Sequence, residues 1–148
     1  MNALTSGFPV LPLFIFDANI LSELEITDPR VAFIHKQLEN INRKLIDFGS
    51  RLIVKHGDPL TVWKELLDEY KISEVYTNRD YEPYAILRDQ QIEVLLKSRQ
   101  IPFKTFKDQV IFEKDEVTKD DGKPYTVYTP YMNRWLNRLN ENPVQQYN

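Results

Sequence analysis

Strand-like and helix-like segments alternate along this chain of 148 residues, and that order most restricts its fold. Residues 9–16 form a nearly continuous apolar run, typical of a strand buried on both faces. Two prolines in the run place the start of pairing near Leu13. Apolar residues then recur at helical spacing from Val31 to Phe48, and Gly49 is a stop signal for that helix.

The same alternation continues to Phe106. Residues 51–55, 74–77 and 102–106 are strand-like, and helix-like segments start at Pro59 and Pro83. Asp58 is suited to cap the helix that Pro59 begins. Strands separated by helices of this length indicate βαβ units, so we predict an α/β fold with a doubly wound, Rossmann-like parallel sheet and helices on both faces.

The pattern changes after Phe106. A charged stretch with the turn signal Asp121-Gly122 is followed by an aromatic one, and residues 134–139 are predicted as a short helix. Too many aromatic residues occur here for a solvated tail, so we expect the segment to pack on the domain or on a neighbour. These residues are Phe112, Tyr125, Tyr128, Tyr131 and Trp135.

Composition excludes several functions. Cysteine is absent, which removes disulfides, thiol catalysis and cysteine metal sites, and no glycine-rich phosphate loop occurs. With 19 basic against 22 acidic residues, autonomous binding to nucleic acid is not expected. No apolar run reaches the roughly 18 residues of a membrane span, and no signal peptide precedes the domain, so we predict a cytoplasmic protein without membrane contact.

The two histidines are not spaced with carboxylates as metal ligands would be. His35 lies within the first long helix, where a structural or exposed role is the simpler interpretation. His56 follows the second strand, where both a loop role and a ligand contact stay open.

The best candidate site follows the third strand. Ligands of open α/β sheets bind at the carboxyl ends of strands, and Asp80 and Glu82 come directly after residues 74–77. Alternate residues of an extended segment point to the same side, so both carboxylates are placed to contact one ligand through its polar hydrogens. The alternative is that Glu82 caps the next helix and Asp80 pairs with Arg79 or Arg88.

Residues near the first strand extend this candidate site. Asp17 ends that strand at the same edge of the predicted sheet, although a strand-end Asp is often only a helix cap. Arg30 opens the following helix and is placed to close a pocket from above. Phe14 offers an aromatic floor for a flat ligand.

Four sequence runs, in this order, resemble the amino-terminal antenna domain of the DNA photolyase/cryptochrome family. The resemblance extends from about Leu4 to Leu139. The runs are Leu13-Phe14-Ile15-Phe16-Asp17, His56-Gly57-Asp58-Pro59, Asn78-Arg79-Asp80-Tyr81-Glu82-Pro83-Tyr84 with Arg88-Asp89, and Tyr125-Thr126-Val127-Tyr128-Thr129-Pro130-Tyr131 with Trp135.

The resemblance implies a five-stranded sheet of which this chain has four strands, since the family's opening strand is not found. Residues 1–139 are then an antenna domain truncated at its start, and residues 140–148 a linker or tail. FAD, and contact with DNA for light-driven repair of pyrimidine dimers, belong to a helical domain that we do not find, so this chain alone is not expected to be catalytic.

The resemblance also implies chromophore contacts. Folate-binding members carry an Asn-Glu pair where this chain has Tyr84-Ala85, so a deazaflavin or FMN antenna is favoured over folate. The residues implied as cofactor contacts are Phe14, Asp17, Arg30, Asp80, Glu82 and Arg88.

Two other functions stay open: a nucleotide- or flavin-binding module without a light function, and an interaction domain. Loss of the opening strand would also leave its two neighbours with unpaired backbone groups. We therefore expect homodimerisation or strand exchange through the exposed sheet strands.

Overall fold

The computed structural model describes residues 2–143 and confirms the predicted alternation. Two additions were not predicted, the short helix α1 and a 3-10 turn at Lys114–Glu116. The elements are β1 (Leu13–Asp17), α1 (Ala18–Leu21), α2 (Pro29–Asp47), β2 (Ile53–Gly57), α3 (Pro59–Glu69), β3 (Val75–Asn78), α4 (Pro83–Ser98), β4 (Phe103–Phe106) and α5 (Tyr128–Glu141).

Aspartate N-caps mark the starts of α1, α2 and α3. Asp58 is the N-cap of α3, as predicted, and its Oδ2 accepts a hydrogen bond of 2.9 Å from the backbone N–H of Thr61. That backbone hydrogen bond holds the pKa of Asp58 below its usual value. Proline follows the cap in α2, α3 and α4, where its missing N–H would have had no helical partner.

The strands form two parallel pairs. β1 pairs with β2, Leu13 opposite Ile53, and β3 pairs with β4, Val75 opposite Phe103. The predicted α/β class is confirmed, but the pairs are two separate sheets, because no strand within residues 2–143 lies between β1 and β3.

Helices cover both faces of the β1–β2 sheet, as predicted. α2 lies over the face that carries Phe16, whose ring stacks with that of His35 at a centroid distance of 6.5 Å. α3 lies over the opposite face, where Lys55 Nζ is 3.7 Å from a carboxylate oxygen of Glu69. His35 is therefore an exposed histidine of α2 that packs on an aromatic ring.

The best-packed core lies between α3, α4 and the β3–β4 sheet. Its buried members are Leu67, Val75, Ile92 and Leu96. None of the residues of α2 is buried, and Ile41 remains 47% exposed. The reason is that α2 covers a sheet of only two strands.

The aromatic segment packs against itself and the preceding loop. The ring of Trp135 lies edge-on to that of Phe112 at 5.5 Å, and Tyr125 lies against Tyr131 at 6.2 Å. The helix predicted at residues 134–139 begins earlier, at Tyr128, and ends at Glu141, so the predicted domain boundary at residue 139 falls inside it. Residues 144–148 of the predicted tail lie outside the described residues.

Candidate ligand-binding edge

Asp17 is the buried acid of the candidate site. It is the last residue of β1 and the N-cap of α1, and only 6% of it is exposed. Its Oδ1 accepts a hydrogen bond of 2.9 Å from the backbone N–H of Asn19, and its Oδ2 accepts one of 2.7 Å from the Tyr84 hydroxyl. The cap interpretation of Asp17 is confirmed, and the carboxylate also contacts a second element of the fold.

Tyr84 brings the two sheets together at this edge. It lies in the first turn of α4, the helix that follows β3, so its bond to Asp17 joins the carboxyl end of β1 to the start of α4. Asn19 Nδ2 donates to the Tyr84 hydroxyl over 3.0 Å. Burial, with a smaller contribution from the Asp17 carboxylate, raises the pKa of Tyr84. Sequence analysis missed this contact; the one signal for it was the position of Tyr84 in the first turn after a strand end.

Asp80 and Glu82 do not make the pairings of the simpler interpretation. Asp80 Oδ1 accepts a hydrogen bond of 3.1 Å from the Glu82 backbone N–H, while Arg79 pairs with Glu113 and Arg88 with Asp89. Glu82 occupies the N-cap position of α4 without a side-chain capping bond. Within residues 2–143 neither carboxylate takes part in an ion pair, so both remain available to a ligand.

The other predicted site residues do not all lie together. Phe14 and Arg88 line the same large cleft beside the sheets. Arg30 is exposed, and its guanidinium is bonded to Asp28, the N-cap of α2, at 2.6 Å. His56 is the fourth residue of β2 and is exposed.

A second charged cluster supports the loop that carries Asp80. Arg79 Nε and Nη2 each donate to a Glu113 carboxylate oxygen over 2.9 Å, and the Tyr81 hydroxyl donates to the same carboxylate. Arg79 Nη1 also donates to the Thr105 carbonyl over 3.1 Å. Hydrogen bonds from Arg79 and Tyr81 hold the pKa of Glu113 below its usual value.

The lowered pKa of Glu113 predicts an acid-dependent loss of stability. Its contribution is complete above the ordinary pKa of glutamate and is lost as the pH falls through the lower folded-state value. We expect Glu113→Gln to lower the free energy of unfolding by about 1 kcal/mol at pH 7, because the pair is half-exposed. In urea melts, the difference from the wild type should stay constant at neutral pH and shrink as the pH falls below the ordinary glutamate pKa of 4.5, whereas Glu93→Gln on the exposed side of α4 should change little at any pH. A difference that stays constant with pH would contradict this role of Glu113.

No helix within residues 2–143 combines the length and the apolar content that a bilayer crossing requires. The same residues contain no group of three His, Asp or Glu side chains positioned to hold a metal ion. What they offer a ligand at this edge is carboxylate and hydroxyl oxygens beside aromatic rings. Such a set suits a flat, polar organic molecule with ring N–H or hydroxyl donors.

A DNA photolyase family model matches residues 1–147. The chain belongs to the DNA photolyase family. This confirms the resemblance found in the sequence. The deoxyribodipyrimidine photo-lyase of a Synechococcus species is 31% identical over 135 residues, covering 91% of this chain and 28% of that protein.

Solved photolyase structures share the fold. A bacterial class III photolyase from Agrobacterium tumefaciens superposes with a TM-score of 0.73 at 26% identity, covering 87% of this chain and 26% of that one. An archaeal photolyase from Sulfolobus tokodaii, solved with two FAD molecules, gives a TM-score of 0.62 at 29% identity and covers 74% and 26% of the two chains. This photolyase-family chain therefore spans about a quarter of the length of these three relatives.

Proposed function

We propose that this chain is the antenna-chromophore domain of a photolyase-like DNA repair flavoprotein. The observation that carries the proposal is that Asp80 and Glu82, which take part in no ion pair within residues 2–143, lie at the strand edge of a domain that matches the family along its length. In the longer protein we propose light-driven repair of pyrimidine dimers, with FAD and DNA held outside the residues described here. The chain of 148 residues alone would then show no repair.

The chemistry of the edge favours a flavin-type antenna. The carboxylates of Asp80 and Glu82 accept hydrogen bonds, which suits the ring N–H and side-chain hydroxyls of a deazaflavin or FMN. Phe14 offers an aromatic surface to such a ring, whereas the guanidinium of Arg88 is paired with Asp89. The Sulfolobus tokodaii relative supports this choice, because its structure with two FAD molecules is described as implying a novel light-harvesting cofactor.

Titration with chromophores tests the proposal. We expect FMN or an 8-hydroxydeazaflavin to bind saturably to the purified chain, measured by chromophore fluorescence anisotropy, and methenyltetrahydrofolate not to bind. Asp80→Asn combined with Glu82→Gln should weaken binding at least about tenfold, because two hydrogen bonds to charged acceptors are lost.

Glu93→Gln is the matched control, since it removes one exposed carboxylate of α4 away from the strand edge. Its affinity should equal that of the wild type. Absence of flavin and deazaflavin binding, or equal binding by the double variant, would overturn the assignment of this edge as the antenna site. Repair of irradiated DNA by the chain under blue light, with FAD added, would overturn the proposal that repair needs residues outside this chain.

A further inference from the structure

The loop between β3 and α4 carries the two candidate carboxylates and is held from one side by a single acid. Arg79 continues the β3–β4 ladder, because its backbone N–H donates to the Phe106 carbonyl over 2.8 Å. Its guanidinium donates to both carboxylate oxygens of Glu113 over 2.9 Å. The Tyr81 hydroxyl donates to the same carboxylate. Two alternate residues of the loop are therefore anchored on Glu113.

The alternation of side chains places the candidate carboxylates on the other side of this loop. Arg79 and Tyr81 both reach Glu113, and successive residues of an extended segment point to opposite sides. Glu82 keeps extended backbone dihedrals up to the start of α4. Asp80 and Glu82 therefore face away from Glu113. This acid can set the direction of both carboxylates without contacting a ligand itself.

Glu113 is in turn held by its own segment. It is the N-cap of the 3-10 turn, where the Glu116 carboxylate accepts a hydrogen bond from the Glu113 backbone N–H. Lys107 Nζ lies 2.7 Å from the same Glu116 carboxylate. The preceding residue, Phe112, packs edge-on against Trp135 of α5. Only 18% of the Glu113 side chain is exposed, so the acceptor occupies a fixed place beside the loop.

We propose that Glu113 is a positioning residue for the antenna chromophore, which orders the loop from which Asp80 and Glu82 bind the ring. The inference rests on the proposed antenna function and adds to it a residue that touches no ligand. A loop already held in its binding conformation binds more tightly, because less ordering has to accompany binding. Glutamine in place of Glu113 keeps the size of the side chain but removes the charge that Arg79 and Tyr81 bond.

Charged groups from two segments face Glu113. Arg79 and the Tyr81 hydroxyl approach from the loop before α4, and Lys107 and Glu116 approach from the segment after β4. Hydrogen bonds from Arg79 and then Tyr81 lower the pKa of Glu113, so its carboxylate is ionised at neutral pH and loses its charge only in acid. Chromophore affinity should therefore include a dependence on the ionisation of Glu113, besides that of the carboxylates that contact the ring.

Chromophore titration of Glu113→Gln tests the proposal, with FMN or an 8-hydroxydeazaflavin as the probe. We expect its dissociation constant to be about fivefold higher than that of the wild type at pH 7. The matched control is Asp115→Asn, which removes a carboxylate charge from an exposed residue of the same 3-10 turn and should bind like the wild type.

The pH profile isolates the Glu113 carboxylate. Asp80 and Glu82 titrate in the wild type and in Glu113→Gln alike, so their contribution cancels in the ratio of the two dissociation constants. That ratio should stay constant at neutral pH and shrink as the pH falls below the ordinary glutamate pKa of 4.5.

Amide hydrogen exchange of the chromophore-free chain, followed by NMR, separates positioning from a loss of overall stability. Glu113→Gln should speed exchange of the Glu82 amide at least about fivefold, because its 3.1 Å bond to Asp80 belongs to the loop that Glu113 orders. Ile92→Val truncates a buried residue between α3 and α4, so it lowers overall stability. It should leave the exchange of Glu82 and the dissociation constant unchanged.

Three results would overturn the proposal: equal affinity of Glu113→Gln and the wild type at pH 7, unchanged exchange of the Glu82 amide, or an equal loss of affinity in Ile92→Val or Asp115→Asn. A wild-type chain that binds neither chromophore would instead overturn the antenna function, and with it any part of Glu113 in binding. The two failures are distinguishable, because the first requires a wild type that binds.

Discussion

Replacing Leu96 with alanine is expected to lower the free energy of unfolding by about 3 kcal/mol. Leu96 is 0% exposed and packs in the cluster of Leu67, Val75 and Ile92 between α4, α3 and β3. Small domains are stable by only about 5–15 kcal/mol, so this change removes a large part of the total. Urea denaturation followed by circular dichroism at 222 nm measures the effect.

The matched control for Leu96 is Val94→Ala on the same helix. Val94 is 70% exposed, so its truncation creates no cavity and should cost less than about 0.5 kcal/mol. A much larger loss for Leu96→Ala than for Val94→Ala would show that packing among α3, α4 and β3 supplies a large part of the domain's stability. A Leu96→Ala variant within about 1 kcal/mol of the wild type would contradict that placement.

Local signals were sufficient to predict most of the elements. Asp58-Pro59 marks the start of α3, because the aspartate cap and the missing proline N–H both act within the first helical turn. The structure has the hydrogen bond from Thr61 N–H to Asp58 that such a cap requires. The start of α5 was missed. The predicted helix at residues 134–139 in fact begins at Tyr128, and Pro130 lies in its first turn, where a proline breaks no helical bond.

Contacts between distant residues could not be predicted in the same way. One of the two interpretations paired Asp80 with Arg79 or Arg88, but Arg79 pairs with Glu113, which lies 34 positions further along the chain. Likewise, Tyr84 reaches Asp17 across 67 positions. Such partners depend on how the elements pack, whereas the position of the candidate edge depended only on where strands end. That is why the edge was predicted and its hydrogen bonds were not.

Replacing Asp17 with alanine is expected to cost about 2 kcal/mol of stability. The substitution removes the cap of α1 and leaves the Tyr84 hydroxyl without its acceptor, and each loss is worth about 1 kcal/mol. Tyr84→Phe removes only the second of these and should cost about 1 kcal/mol. Urea melts of both variants and of the double variant complete a double-mutant cycle.

The cycle asks whether the Asp17–Tyr84 bond joins the two sheets. Because it links the end of β1 to the start of α4, we expect a coupling energy of about 1 kcal/mol between the two substitutions. Additive effects would show instead that the packing of α3 against α4 holds the sheets together without this bond. The result also bears on the candidate edge. Asp80 and Glu82 directly precede α4, whereas Phe14 lies in β1, so these residues keep their relative positions only while the two sheets stay joined.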